Sequence, residues 1–302
     1  MKATVRQRVG AFAAPAVVLA ALCGGCRPTA RAPEGYFGPT ETLAEVVRRI
    51  NSNNQAIPTL FARHYTEANI VDARSGRTTF VNAGGELLVR KPRELLMRGR
   101  KDVAGTIFEI GSTADRYWLT ILAGEEGHWW GWHRNAERLT GSELPLRPDL
   151  LGEVLGIGEI NPALTEPPVP VMRFNNDVDA YMLVWNAPLP DRWYAQKEIW
   201  YDRRTLLPRK VLLFDRDGRV VVRADLSDHR QVATGAAAGA RPWMAGTLDL
   251  FFPGSGSTMR VVLSDMALTS RTGHPREGTI RYPQPPPVPD DRIIQIDRHC
   301  EP

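Results

Sequence analysis

The hydrophobic positions of the chain change their spacing after one short segment. Over residues 40–51, Leu43, Val46, Val47 and Ile50 fall at i, i+3, i+4 and i+7, which places them on one face of an α-helix. From residue 59 onward, apolar and polar residues form short runs rich in Thr, Val, Ile and aromatic residues. The pattern therefore predicts one amphipathic helix followed by a β-sheet.

Short turn signals separate the strand-like runs, so consecutive strands are expected to pair antiparallel, since parallel pairing needs long crossovers. A proline-led segment at residues 147–156 predicts a short central helix. About a dozen strands are too many for a flat sheet, so we expect it to curl and its concave face to be covered by the two helices. The predicted strands are residues 59–71, 78–89, 94–100, 106–111, 116–122, 128–133, 171–174, 180–185, 193–202, 208–215, 219–227, 247–252 and 258–264, with one more at 292–297 docked at an edge.

The first 25 residues have the composition of a secretory signal: a basic start, an apolar run of residues 9–22 and two glycines before Cys26. The run is too short to span a bilayer. Small residues directly before Cys26 resemble the lipobox of bacterial lipoproteins, which implies that Cys26 is acylated and begins the mature chain. Plain secretion and a Cys23–Cys26 dithiol are the alternatives, and the dithiol lacks a thioredoxin-like context.

These features predict four segments. Residues 1–25 are a lipoprotein signal peptide and residues 26–39, with their prolines and glycines, a flexible tether. Residues 40–270 form the β domain, and residues 271–302 a Pro-rich extension that ends in a strand.

Removal of the signal changes the charge of the protein. The full chain has 38 Lys and Arg against 34 Asp and Glu; residues 1–25 contain three of the basic residues and no acidic one, which leaves 35 against 34. A net charge of +1 removes the main support for nucleic-acid binding. Cys300 remains as a lone thiol, inert on the tail or paired between molecules.

No catalytic or metal-binding set emerges from the residue pattern. His128 and His133 are five apart on one predicted strand, so they should point to opposite faces and not share a metal. Residues 253–257 lack the spacing of a nucleophile elbow, and no phosphate loop or dinucleotide fingerprint is present. We expect no enzyme activity, no cofactor and no metal. Trp130 and Trp132 should share one face, either buried in the sheet or open to a membrane interface or ligand.

Three segments resemble the family of periplasmic lipoprotein carriers and outer-membrane lipoprotein receptors (the LolA/LolB type). They are the leading helix running into the strand at 59–71, the aromatic strand at 114–119, and the stretch 198–208 with its Trp, Asp and Leu-Pro. The resemblance implies an antiparallel half-barrel of about eleven strands, closed by helices around an apolar cavity for acyl chains. It also implies a lid-closing arginine, for which Arg63 and Arg98 are the candidates.

If the cavity exists, large apolar side chains on successive elements should line it, with ordinary core packing as the alternative for each. The candidates are Val46, Ile50, Phe108, Trp118, Trp185, Trp200, Leu212, Phe214 and Phe251. A lipid anchor fits the receptor side of the family, and Arg27 after Cys26 implies delivery to the outer membrane, facing the periplasm. The expected partners are the membrane and lipid or lipoprotein acyl chains, bound by a monomer.

Two functions remain open at this point. The first is passive binding of an acyl chain or other apolar ligand, for lipid or lipoprotein sorting. The second is a structural or assembly lipoprotein with a packed half-barrel that binds a protein partner. An open apolar cavity between the helix at 40–51 and the sheet would support the first function, and a solid core there would contradict it.

Overall fold

The structure, a computed structural model, describes residues 40–71, 76–101, 105–123, 126–139, 147–234, 241–269, 278–284 and 286–300. One curved sheet of fourteen strands forms the framework, and it confirms the predicted mainly-β half-barrel class. The strands are β1 Thr59–Val71, β2 Thr78–Arg90, β3 Glu94–Lys101, β4 Gly105–Ser112, β5 Arg116–Ile121, β6 Gly127–Trp132, β7 Val169–Asn175, β8 Ala180–Pro188, β9 Trp193–Asp202, β10 Pro208–Phe214, β11 Val220–Gln231, β12 Trp243–Phe252, β13 Ser257–Ala267 and β14 Ile293–Gln295.

The sheet consists of two antiparallel meanders. Strands β1–β6 run outward in one direction and β13–β7 in the other, and they meet where β1 pairs with β13. The short strand β14 extends the β6 edge and pairs with it in parallel, which differs from the all-antiparallel sheet expected. A parallel pair is possible because β6 and β14 are far apart in the chain, which leaves ample length for the crossover that parallel strands need.

The first helix, α1, spans Leu43–Gln55 and buries Val46, Val47 and Ile50 against the sheet, as its periodicity predicts. It begins after Thr42, which forms a capping box with Glu45, and not at residue 40. The backbone and hydroxyl hydrogen bonds from Thr42 lower the pKa of the Glu45 carboxyl. The predicted central helix is shorter: a 3₁₀ turn at Pro148–Leu150 continues into α2, Leu151–Val154.

Strand alternation divides the side chains between two faces. On β1, Leu60, Ala62 and Ala68 point to the concave face and join the main core with α1, while Arg63 and Tyr65 point outward. A second, smaller cluster lies on the convex face, where Ile280 and Tyr282 of the C-terminal tail cover Leu96 and Trp118. The tail is therefore part of the fold.

No described helix is both long and apolar enough to cross a membrane. Cys26, the signal peptide and the tether lie outside the described residues.

Candidate functional site

Four of the nine candidate lining residues lie in the main core: Val46, Ile50, Phe108 and Trp185. Phe108 packs beside the His64 ring on the concave face, with ring centroids 6.0 Å apart. The Lys197 ammonium lies 4.9 Å from the centre of the Trp185 ring. These four positions face the inside of the half-barrel, where they belong to the main core.

The inward-facing expectation is wrong for four others. Trp118 belongs to the convex cluster under the tail, and its indole N–H donates to Glu109 at 2.9 Å. Trp200, Leu212 and Phe251 alternate with residues of the main core and therefore point outward. The prediction followed side-chain size, whereas the strand register decides the face. Phe214, half-buried after a register shift, lines the end cavity described below.

The space between α1 and the sheet is filled. Val46, Val47 and Ile50 are almost fully buried and belong to the main core. Farther along the concave face, a void of about 10 Å³ is lined by Phe108, Ile110 and Met259 among others. A void of that size holds about one water molecule. The open apolar cavity expected beneath α1 is therefore not found among the described residues.

Asparagine side chains fix α1 to the loop after α2. Asn51 donates to the Ile160 carbonyl at 2.7 Å and accepts from the Ile160 amide at 2.8 Å. Asn54 donates to the Gly158 carbonyl at 2.7 Å, and the Tyr181 hydroxyl accepts from the Glu41 amide at 3.0 Å. Displacing α1 would break this set of buried bonds.

The larger space on the inner side is a cavity of about 260 Å³ at one end of the half-barrel, which we call the end cavity. The β2–β3 turn, the segment from Pro148 to Gly158, strand β9 and the β10–β11 turn surround it. Its apolar lining includes Leu95, Leu139, Leu150, Ile157, Leu213 and Val221; its charged lining includes Lys91, Arg93, Glu94, Arg147, Asp149, Glu153, Lys197, Asp215 and Arg216.

One wall is built around a buried ion pair. The Arg147 guanidinium donates two hydrogen bonds to the Asp149 carboxylate, at 2.9 and 2.7 Å. It also donates to the Ala136 carbonyl. Burial alone would lower the pKa of Arg147, but the Asp149 carboxylate outweighs burial and raises it. Arg147 therefore stays charged and holds the 3₁₀ turn in place, since a bidentate pair fixes both partners.

The opposite wall holds a second pair. The Lys197 ammonium lies 2.8 Å from a Glu153 oxygen, and this cation lowers the pKa of the Glu153 carboxyl. Lys91 reaches the Asn54 carbonyl at 2.5 Å and Glu159 at 3.7 Å, while its burial lowers the pKa of its ammonium.

The Glu94 Oε2 and the Tyr117 hydroxyl, beside the end cavity, are buried without a hydrogen-bond partner. Burial raises the pKa of Tyr117 far above its ordinary value, so this phenol stays neutral. The other Glu94 oxygen accepts from Arg90 at 2.9 Å. The unpaired Oε2 carries a desolvation cost, because a buried acceptor without a donor has lost its hydrogen bonds to water.

The two histidines singled out by the sequence belong to different surroundings. His133 begins a 3₁₀ turn, lies at the end cavity and hydrogen-bonds Ser112 at 2.9 Å, while burial lowers its pKa. His128 lies between Thr120 and Tyr282 at 2.7 and 2.8 Å. No three potential metal ligands cluster within the described part of the chain.

The remaining candidates lie on the outer face. Arg63 and Arg98 are on the convex side of β1 and β3, where Arg98 pairs with Glu109 at 2.6 Å. Neither is near α1, so the structure does not support the lid role. Trp130 and Trp132 share the convex face, 5.8 Å apart, and the Arg116 guanidinium lies over both. Cys300 is half-buried in the tail.

Sequence reasoning missed the end cavity. Its lining comes from turns and strand ends that are far apart in the chain, so no local motif marks it. The only sequence signal was indirect: Arg147 and Asp149 flank Pro148 at the start of the predicted central helix.

Comparison with known proteins finds no matching family model and no matching curated protein. Among solved structures, a domain described as an outer membrane lipoprotein-sorting protein from Vibrio parahaemolyticus is 14% identical, with a TM-score of 0.48. The alignment covers 74% of this chain and 90% of that one. A LolA superfamily protein from Nitrosomonas europaea is 13% identical over 76% of this chain and 95% of its own, with a TM-score of 0.46.

A DUF1329 family protein from Desulfovibrio piger is similar to the same extent: 15% identity, 74% of this chain, 90% of that one and a TM-score of 0.44. The first two descriptions name the lipoprotein-sorting group that the sequence resembles. At these scores the likeness establishes neither a family nor an activity for this chain.

Proposed function

We propose that the protein is a non-catalytic binding protein of the bacterial cell envelope, and that its end cavity holds a small amphipathic ligand. In this proposal Cys26 carries the lipid anchor in the outer membrane, and the domain faces the periplasm as a monomer. The observation that carries the proposal is the contrast between the filled space under α1 and the end cavity of about 260 Å³.

The lining defines the chemistry of the ligand. One part of the wall is aliphatic and suits a hydrocarbon chain, including Leu95, Ile157 and Leu213. Lys91 and Arg93 lie among the charged groups, and Arg93, at the exposed rim, makes no hydrogen bond or close ion pair among the described residues. These cations favour an anionic group at one end of the ligand.

The Glu94 carboxylate adds a further requirement. Because its Oε2 is buried without a donor, a ligand that supplies a hydroxyl or amine hydrogen there would remove a desolvation cost. The cavity is somewhat smaller than the roughly 300 Å³ at which drug-sized sites begin, so the ligand is a short chain and not a complete diacylglycerol anchor. A short 3-hydroxy fatty acid combines these properties and serves as the probe.

The test is calorimetric titration of the full chain, carrying Cys26→Ser to remove the acylation site, with 3-hydroxydecanoate and with decanoate. We expect saturable binding of both and tighter binding of the hydroxylated acid. Arg93→Gln should weaken both by about two- to fivefold, the value of an exposed ion pair.

Gly152→Trp and Gly158→Trp test the site sterically, because a tryptophan at either position should fill the opening of the end cavity. Both glycines line the end cavity, and a Cβ added at either meets no atom within 4 Å, so each position has open space for the start of a larger side chain. An unchanged thermal melting curve of each variant checks that the fold is intact. Binding should be lost in both variants. Gly84→Trp, on the convex face, is the matched control and should bind normally. Unchanged binding in both cavity variants would contradict the proposal.

A second candidate function is supported by the filled core under α1. A packed half-barrel fits a structural lipoprotein that binds a protein partner, and Val171 and Phe251 are exposed on the convex side of the sheet. This function is favoured if the chain binds neither fatty acid.

A further inference from the structure

A groove of about 500 Å³ crosses the convex face over strands β1, β2 and β3, away from the end cavity. Its floor is at Gly84, which pairs with Tyr65 on one side and Arg100 on the other. A Cβ added to Gly84 would meet only the His64 carbonyl oxygen, at 3.8 Å. The missing side chain therefore leaves a notch between a tyrosine and an arginine.

Positive charge dominates the groove. Arg63, Arg98, Arg100 and Lys101 line it, against Glu86 as the one acidic lining residue. Arg98 pairs with Glu109 at 2.6 Å, and Arg63 with Asp265 at 3.5 Å on the exposed surface. Arg100 and Lys101 have no ion-pair partner among the described residues, so they are the cations available to a ligand.

Exposed aromatic side chains flank these cations. Tyr65 is 46% exposed and Phe80 60% exposed, and Phe80 lies four residues before Gly84 on the same face of β2. Aromatic rings beside lysine and arginine are typical of surfaces that meet the headgroup region of a bilayer.

The strand pairing argues against an extended peptide as the occupant. Strands β1, β2 and β3 are each paired on both sides, so their backbone groups are already used and cannot add a peptide strand. What the groove offers is side-chain cations, a notch and the exposed Tyr65 ring, with Phe80 farther along β2.

From these observations we infer that the groove binds the phosphate headgroup of an anionic phospholipid, with Arg100 contacting the phosphate, Lys101 adding positive charge at the strand end, and Tyr65 and Phe80 entering the interface. This surface would turn the convex side of β1–β3 toward the membrane. It uses none of the residues of the end cavity, so the two proposals can fail separately.

The test is sedimentation of the mature chain, residues 26–302 with Cys26→Ser to remove the acylation site, with vesicles of phosphatidylcholine or of phosphatidylcholine mixed with phosphatidylglycerol. We expect binding to the anionic vesicles only. Arg100→Gln and Lys101→Gln should each reduce the partition coefficient about fivefold, as expected for one basic residue near an anionic surface. Arg173→Gln, which removes an exposed arginine from the edge strand β7, is the matched control and should bind like the parent.

Gly84→Trp separates a headgroup site from general attraction, because it fills the notch and leaves the charge unchanged. We expect it to reduce binding, with an unchanged thermal melting curve showing that the fold is intact. Normal binding by Gly84→Trp, equal losses in Arg173→Gln and Arg100→Gln, or binding of poly-glutamate without binding of vesicles would each overturn the inference.

Discussion

At the residue scale, two adjacent glycines on β2 have opposite structural roles. Gly85 points to the concave face, where a Cβ would lie 1.8 Å from the Arg98 carbonyl oxygen and 2.9 Å from the His64 ring. Gly84 points outward, where a Cβ would meet only the His64 carbonyl oxygen at an ordinary contact distance of 3.8 Å. The close approach of β2 and β3 therefore needs glycine at residue 85 and not at residue 84.

We predict that Gly85→Ala destabilises the protein by about 1–3 kcal/mol, because the backbone must shift to admit the methyl group. Gly84→Ala is the matched control, with a neutral or slightly stabilising effect. Urea unfolding of the two variants measures the difference. Equal free energies of unfolding would mean that the strands are not as close as described.

His128 makes the stability of the protein sensitive to acid. Burial lowers the pKa of this imidazole to about 4 from its ordinary value of 6.5, so the folded state keeps the ring neutral. The contribution of the neutral His128 ring to the free energy of unfolding is complete above pH 6.5. It is lost as the pH falls toward 4, since only the unfolded chain then binds the proton.

At pH 5 this single group should cost about 2 kcal/mol relative to pH 7. Urea midpoints at the two pH values measure the loss, which should be smaller in His128→Gln. His299→Gln, in an exposed position of the tail, should keep the parental pH dependence. The account of His128 fails if both variants lose the same stability on acidification.

At the element scale, the hydrogen bonds of polar side chains hold α1 in place as much as its apolar face does. Its periodicity predicts the helix and its buried face, and the observed Val46, Val47 and Ile50 confirm them. The helix continues past the predicted end because Asn51 and Asn54 bond to the loop at residues 156–160. Those contacts join positions about a hundred residues apart, which no local pattern can indicate.

We predict that Asn51→Ala lowers the free energy of unfolding by about 3 kcal/mol, because the Ile160 amide and carbonyl lose their partner inside the protein. Asn53→Ala, which removes an exposed pair of bonds to Trp243, should cost less than about 1 kcal/mol. Chemical unfolding of both variants tests the difference. Similar losses would show that α1 is held mainly by its apolar face.

The strands show how much of the sheet the alternation of apolar and polar residues can predict. The runs at residues 59–71 and 258–264 correspond to β1 and β13, yet their pairing at the centre of the sheet joins elements nearly 190 residues apart. The sequence pattern places Trp200 and Leu212 correctly on strands, but the concave face predicted for their side chains is wrong. One register shift or bulge exchanges the faces, and the sequence does not mark it.

At the scale of the whole molecule, the C-terminal tail completes the sheet. Strand β14 covers the edge of β6, the buried Asp297 carboxylate accepts from the Trp132 amide and from Asn135, and Tyr282 packs edge-on against Trp118 at 5.5 Å. The composition of the tail predicts a spacer with a terminal strand, but not its contact with Trp118.

A chain that ends at residue 277 should therefore expose Trp118 and the β6 edge. We predict a red shift of the tryptophan emission and self-association in size-exclusion chromatography, because an uncovered edge can pair with another chain. A chain that ends at Cys300 is the control and should behave like the parent. An unchanged emission spectrum in the shorter chain would show that the tail does not cover the aromatic cluster.

The division of space inside the half-barrel is the central claim: a filled region under α1 and a ligand site in the end cavity. Methyl NMR of the full chain, carrying Cys26→Ser, during titration with 3-hydroxydecanoate tests it most directly. We predict that the methyl shifts change at Leu95, Ile157 and Leu213, and not at Ile110 or Met259. Changes confined to Ile110 and Met259, or no saturable change at any methyl group, would contradict the account.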